Sequence, residues 1–174
     1  MAKKLTFQLD LSDYTPAQRE AIAIEVMDKI IARTQQGKDK NGNKFAPYSK
    51  GYKDSVNFKI GGKSSSVDLT LSGDMLDSME IVKNGPKVEI GYSAGNPERG
   101  KAEGNILGTY GQSKPTAPAR DFLGIQESEL DRILRKYPTG TQKAEQRAKE
   151  TLIKEGESAR LSGRIRVEDF EDDE

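Results

Sequence analysis

The chain has 174 residues, with 28 basic and 28 acidic side chains and a formal net charge of zero. This balance argues against binding to nucleic acid through a general basic excess and against a highly acidic solvating protein. Cysteine and histidine are both absent, which excludes Cys/His zinc sites, iron–sulfur clusters, disulfides and every histidine-based general base. No apolar run approaches the roughly 18 residues that span a bilayer, and the first residues lack the apolar segment of a signal peptide. The composition predicts a soluble protein without a cofactor, made in a cytoplasm.

The first two elements are a strand and a long helix. Large apolar residues alternate with polar ones over positions 5–11, which is the period of a half-buried strand. Thr15, Pro16 and Gln18 then form the sequence pattern of a helix N-terminus with a capping box. An apolar stripe follows, and it predicts a helix from Pro16 to Gln36.

Residues 37–66 are polar, contain several glycines and predict a long loop. Phe45, Tyr48 and Tyr52 lie close together in this loop. Long loops in small domains tend to be functional. Because aromatic rings stabilise a fold when they are buried, we expect the loop to pack on its own domain or on a neighbouring subunit.

Two segments resemble ligand-binding loops, but their spacing rejects both interpretations. Residues 61–64 read Gly-Gly-Lys-Ser, yet Asn57 stands where a phosphate loop requires a glycine. Residues 39–44 begin like a calcium loop, yet Lys44 stands at the position of its glycine. The sequence therefore predicts no catalytic, cofactor-binding or metal-binding site.

The elements after this loop are shorter and are separated by further glycine-rich segments. The sequence first predicts a helix with Ser72 as N-cap that runs to Met79, and then a β-hairpin of residues 81–83 and 88–90. A helical turn or two is expected within 98–107, followed by a strand at Ala119–Leu123. The last predicted element of this part is a helix that starts at Ser128 and ends before Pro138.

The composition changes at Thr139. Residues 141–159 favour a helix by propensity but contain only two large apolar residues. The last seven residues contain six acids and Phe170. We therefore predict one domain over residues 1–138 and, over residues 139–174, a charged helical extension with an acidic C-terminal tail that is ordered against a neighbouring subunit.

The predicted fold class is α+β. The long N-terminal helix and a second helix are expected to pack on a small, mostly antiparallel sheet, with long loops and the helical C-terminal extension. Hydrophobic residues make up 33% of the chain and charged residues 32%. This composition supports a modest core with arms or loops that a partner orders.

Three short motifs occur in a fixed order along the chain. They are Asn41–Ser49, which ends in Phe45-Ala46-Pro47-Tyr48-Ser49; Leu71–Met79, which contains Ser72-Gly73-Asp74-Met75; and Pro118–Ile125. A short hairpin that ends at Ile90-Gly91 and the segment Gly108-Thr109-Tyr110-Gly111 lie between the last two. With the long N-terminal helix, this order resembles tailed-bacteriophage virion morphogenesis proteins of the tail-completion or neck type. The similarity covers about residues 15–137.

The resemblance implies a non-enzymatic structural component of a virion at the head–tail junction, such as a tail completion, neck or tail terminator protein. Its partners would be copies of itself in a closed ring of six or twelve, together with other virion proteins of the connector and tail. Neither a membrane nor a sequence-specific nucleic acid is an expected partner, although DNA would pass through such a ring. Its location would be the virion, after synthesis in the host cytoplasm. The subunit-interface candidates are Phe45, Tyr48, Tyr52, Tyr110, Arg120 and Phe122.

Within the last motif, Pro118 forces an extended chain. A strand there places Arg120 and Phe122 on the same face, because side chains alternate. We expect the Phe122 ring to be buried. Arg120 is expected either to extend its charged end to solvent or to pair with a carboxylate, within the subunit or across a ring interface.

One alternative function stays open, namely a cytoplasmic, non-enzymatic binding module that acts on a host protein. A stable closed ring would favour the virion protein. A monomer that binds one host protein would favour the alternative.

Overall fold

The fold combines a three-stranded sheet with one long helix and several short ones. The computed structural model describes residues 5–61, 66–70, 73–110 and 112–151, and the chain divides after Tyr137 into two units. The described elements of the first unit are β1 (Leu5–Asp10), α1 (Pro16–Gln35), α2 (Lys50–Lys53), α3 (Val56–Ile60), α4 (Asp74–Asp77), β2 (Glu80–Lys83), β3 (Lys87–Tyr92), α5 (Arg99–Leu107) and α6 (Glu127–Leu134). The predicted α+β class is confirmed.

The sheet is antiparallel, with β3 in the centre between β1 and β2. Leu5 pairs with Tyr92 and Leu9 pairs with Val88, and all four side chains are buried. The alternation along β1 therefore places its leucines on the core face, as predicted. β2 and β3 form the predicted hairpin around the Asn-Gly pair.

α1 begins with the predicted capping box and carries a large part of the core. Gln18 N donates to Thr15 Oγ1 at 3.3 Å, and Thr15 N donates to Gln18 Oε1 at 3.1 Å. Ile22, Val26 and Ile30 are fully buried. The helix packs against β2, β3 and α6, so its apolar stripe joins the sheet to the last helix of the unit.

The predicted strand at 119–123 is wrong. Arg120 N donates to Asn105 O at 2.7 Å, whereas Asp121 O accepts from Lys40 N at 2.8 Å. The two bonds go to α5 and to the loop after α1, and no described strand pairs with the segment. A ladder needs one neighbour with consecutive partners, so residues 118–125 instead connect two separate parts of the unit.

The segment predicted as one long loop contains two short helices. α2 and α3 follow Ser49 and Ser55, whose hydroxyls accept from the backbone N–H groups of Tyr52 at 3.2 Å and Phe58 at 3.3 Å. Helices of four and five residues show no detectable apolar periodicity. Residues 62–65, which contain most of the rejected phosphate-loop segment, lie outside the described residues.

Two predicted helix starts are corrected by one residue. α4 has Gly73 as its N-cap, at φ 83°, without a side-chain capping bond; a glycine adopts this φ at little cost. Ser72, the predicted N-cap, lies outside the described residues. α6 starts at Glu127 with Gln126 as N-cap, instead of at Ser128.

The second unit starts at Pro138, and its described part, residues 138–151, contains the helix α7 (140–151). Gln142 N donates to Thr139 Oγ1 at 3.3 Å, and Thr139 N donates to Gln142 Oε1 at 3.0 Å, which caps this helix. Every residue from 140 to 151 is exposed. The rest of the predicted helix and the acidic residues 168–174 lie outside the described residues.

Glu25 connects α1 to the end of the first unit. Its carboxylate accepts hydrogen bonds from Lys136 Nζ at 2.6 Å and from the Tyr137 hydroxyl. These bonds, that of Lys136 first, hold the pKa of Glu25 below its ordinary value of 4.5.

We expect Glu25→Gln to lower the melting temperature at neutral pH and to have less effect in acid. A carboxylate whose pKa is lower in the folded chain contributes its full stabilisation above the unfolded value, and this contribution is lost as the pH falls through the folded pKa. Melting curves of both proteins from about pH 7 to pH 3 measure this. The difference in melting temperature should shrink toward low pH, while Glu20→Gln, at an exposed position of the same helix, should change little. A pH-independent difference for Glu25→Gln contradicts the prediction.

Candidate functional site

The first unit contains a cleft of about 530 Å³. Its walls come from α2 and the residues just before it, from Leu69 and the start of α4, from α5, and from Tyr110 and residues 116–120. Most of the lining is apolar or aromatic, and its polar members are Arg120, Lys101, Asn105, Ser49 and Thr116. A cavity of this size with few polar groups is typical of a binding site.

Arg120 lines the cleft and is nearly buried, with 4% of its surface exposed. Its guanidinium lies 5.2 Å from the centre of the Tyr48 ring, and Nη2 donates to Ala46 O at 3.3 Å. Nε is buried and has no hydrogen-bond partner among the described residues. The Tyr110 side chain also hydrogen-bonds to Arg120. Because a buried charge needs compensation, an occupant of the cleft that carries an acceptor would complete the hydrogen bonding at Nε.

The structure decides between the partners expected for Arg120 only in part. The side chain does not extend to solvent, since it is buried. In the described part of the chain, no acidic side chain forms a salt bridge with Arg120. The expectation of an acid from the same subunit is therefore wrong for these residues, and an acid across an interface stays a prediction.

Three aromatic rings form a cluster beside Arg120. The ring centroids are 4.9 Å apart for Tyr48 and Tyr52, 5.7 Å for Tyr48 and Phe58, and 5.5 Å for Tyr52 and Phe58. Burial raises the pKa of the Tyr48 hydroxyl, and Arg120 opposes this. The aromatic loop is expected to pack either on its own domain or on a neighbouring subunit. It packs on its own unit, and its tyrosines line the cleft.

Tyr110 also lines the cleft and has an unusual backbone conformation. Its φ is 46°, in the left-handed region, and its hydroxyl donates to Asn105 Oδ1 at 2.6 Å. The ring lies against Gly104, where a Cβ would come within 2.8 Å of it. Leu69, which also lines the cleft, has φ 54°. Non-glycine residues at positive φ cost free energy and cluster at functional sites, so both outliers draw attention to this cleft.

Close backbone contacts hold the segment that carries Arg120. Gly108 has φ 71°, and a Cβ there would lie 2.1 Å from Ala117 O, so only glycine fits. Farther along, Arg33 Nη2 donates to Phe122 O at 3.0 Å and to Gly124 O at 2.6 Å. The segment is therefore fixed on both sides of Arg120.

Sequence reasoning missed Arg33, which is 4% exposed and also forms a 2.9 Å ion pair with Glu129. A signal for it exists in the sequence. Arg33 continues the spacing of Val26 and Ile30 along the apolar stripe of α1. A charged residue on a core-facing stripe indicates a buried tie to another segment.

Of the six predicted interface residues, four line the cleft and two pack in or against the core. Tyr48, Tyr52, Tyr110 and Arg120 line the cleft together. Phe45 is half-buried against the core. Phe122 is fully buried and meets the Tyr92 ring edge-on, with centroids 6.5 Å apart, so it supports the site from inside the unit and does not form its surface.

The cleft is suited to binding an aromatic or apolar group together with a hydrogen-bond acceptor.

Among the described residues, no three acidic side chains come together as a metal site. In the same residues, no helix has the length and apolar character needed to cross a membrane. Comparison with family models, with curated proteins and with solved structures finds no match to this chain.

Proposed function

We propose that this chain is a structural, non-enzymatic subunit of a bacteriophage virion. It works at the head–tail junction, as a tail completion, neck or tail terminator protein in a closed ring that joins or caps the tail and the connector. Its partners are copies of itself, in a ring of six or twelve, and other virion proteins of the connector and tail.

The observation that best supports this proposal is that the motifs of the family resemblance meet at one cleft. Tyr48 belongs to the first motif, Met75 to the second and Arg120 to the third, and all three line it with Tyr110 from the segment between. These residues are far apart in the sequence. Separate motifs that meet at a partly open surface are expected when that surface binds a partner.

The requirements of a ring agree with this cleft. A closed ring uses contacts in which one surface of each copy meets a different surface of the next. The cleft supplies one such surface, because Nε of its buried Arg120 has no hydrogen-bond partner among the described residues. α3 exposes Val56 by 68% and Ile60 by 80%, four positions apart on one helix face. A neighbouring subunit would cover these apolar side chains.

We expect Arg120→Gln to abolish assembly while changing the stability of the isolated subunit by no more than about 1 kcal/mol. The substitution removes a cation–π contact of about 0.5–2 kcal/mol, but it also removes a desolvated charge without a counter-ion. The two effects oppose each other in the subunit. Thermal unfolding measures the stability, and sedimentation velocity together with the yield of infectious particles measures assembly.

Arg132→Gln serves as the matched control, because Arg132 is exposed on α6. This substitution should leave both the stability and the assembly unchanged. Infectious particles at the wild-type yield with Arg120→Gln would contradict the proposal. A wild-type chain that stays monomeric and binds one host protein would instead support the host-directed binding module.

A further inference from the structure

The cleft defines the chemistry of its occupant. The tyrosine walls favour an aromatic or large apolar side chain. Arg120 is buried, its Nε has no hydrogen-bond partner and its charge has no carboxylate partner among the described residues. It therefore favours a carboxylate, which is the strongest partner of a guanidinium. Lys101 adds a second cation at the wall, although it already pairs with Glu98 at 2.7 Å. A suitable partner thus carries an aromatic ring next to an acid.

This chain contains such a segment. Residues 168–174 place Phe170 among six acids, and they lie outside the described residues. A peptide with one ring and many carboxylates matches the cleft in both apolar character and charge. Docking of one copy's segment into another copy also provides the unequal pair of surfaces that a closed ring needs.

A long tether separates the acidic segment from the first unit. The described residues of α7 form a helix about 18 Å long. Residues 152–167 then precede the acidic segment, and an extended chain of this length spans at most about 55 Å. This length permits the acidic segment of one copy to lie up to about 55 Å from the end of its α7.

We propose that residues 168–174 of one copy dock into the cleft of a second copy. The Phe170 ring lies among Tyr48, Tyr52 and Tyr110, and a carboxylate beside it binds the Arg120 guanidinium. This inference rests on the proposed function, because it supplies the contact between neighbours in the ring.

A binding measurement tests the recognition directly. The probe is a fluorescent peptide of residues 164–174, RIRVEDFEDDE, and the receptor is the full chain carrying Phe170→Ala, so that its own segment does not compete. We expect saturable binding that weakens at least tenfold when the peptide carries the same Phe170→Ala change or when the receptor also carries Arg120→Gln. Unchanged binding in either case overturns the proposal.

A second receptor variant guards against an effect of Arg120→Gln on folding. Lys101 is exposed, with 60% of its side chain accessible, so Lys101→Gln should leave the fold intact while weakening peptide binding and its salt dependence. Lys29→Gln is the matched control, since Lys29 is also an exposed lysine beside a glutamate, at 3.5 Å from Glu129. Equal binding by the Lys101 and Lys29 variants contradicts the proposed location of the peptide.

Mixing two full-length variants tests the contact between copies. Arg120→Gln keeps its acidic segment and loses its cleft, whereas Phe170→Ala keeps its cleft and loses its segment. We expect each variant alone to remain monomeric and an equimolar mixture to stop at dimers, because only one functional contact is possible per pair. Native mass spectrometry distinguishes these species from the wild-type ring.

The outcomes separate this inference from the proposed function. If Arg120→Gln blocks assembly but Phe170→Ala assembles like the wild type, the cleft receives another segment, and only the docking proposal is overturned. If neither variant affects assembly, the proposed use of the cleft in a ring is overturned as well.

Discussion

Phe122→Ala should lower the free energy of unfolding by about 3–5 kcal/mol. The Phe122 ring is fully buried and contacts Tyr92 of the central strand. Its removal deletes these contacts and leaves a cavity where residues 118–125 meet the core, and close-packed surroundings fill such a cavity only in part. Denaturant unfolding followed by circular dichroism gives the change from the midpoint and the slope.

Phe58→Ala is the matched control for this change. Phe58 lies on α3, and its half-buried ring packs against Tyr48 and Tyr52. The substitution removes the same atoms as Phe122→Ala. A partly exposed ring loses less burial, so its loss of stability should be clearly smaller than that of Phe122→Ala. Equal losses, or a Phe122 variant that unfolds at the wild-type midpoint, would show that the ring does not support the core.

The elements predicted with success are those encoded within a few residues. The capping box of Thr15 and Gln18, the alternation over positions 5–11 and the Asn-Gly pair before β3 each determine a local conformation. Tertiary packing strengthens these choices and does not reverse them.

The strand predicted at Ala119–Leu123 shows where local information ends. Pro118 and the apolar residues after it do favour an extended chain. Whether an extended segment becomes a strand depends on its neighbour, and here the bonding partners are Asn105 and Lys40 from two different segments. No pattern within residues 119–123 contains that information.

The cleft lies beyond sequence reasoning for a similar reason. Tyr48, Tyr110 and Arg120 each stand out in the sequence as an aromatic or charged residue in an unusual segment. Their convergence depends on close approaches such as that of Gly108 to Ala117, which tertiary packing creates. The residues were therefore predictable as candidates, whereas the site that they form together was not.

Arg33→Met should destabilise the first unit by about 3–5 kcal/mol, the usual effect of removing one partner of a buried ion pair. The methionine keeps the apolar stem but donates no hydrogen bond. Phe122 O and Gly124 O would lose their bonds from Nη2, and Glu129, whose side chain is 15% exposed, would lose its 2.9 Å ion pair. Buried acceptors without a donor are costly, and the 118–125 segment would lose its attachment to α1. The midpoint of denaturant unfolding measures the loss.

Lys29→Met separates this role from ordinary surface electrostatics. Lys29 lies on the same helix and approaches the same Glu129 at 3.5 Å, but its side chain is 48% exposed. Its loss should therefore cost at most about 1 kcal/mol. The double variant Arg33→Met with Glu129→Met should recover part of the stability that Arg33→Met loses, because the unpaired carboxylate is removed too. If Arg33→Met and Lys29→Met have equal effects, Arg33 does not hold the segment, and the position of Arg120 in the cleft has another cause.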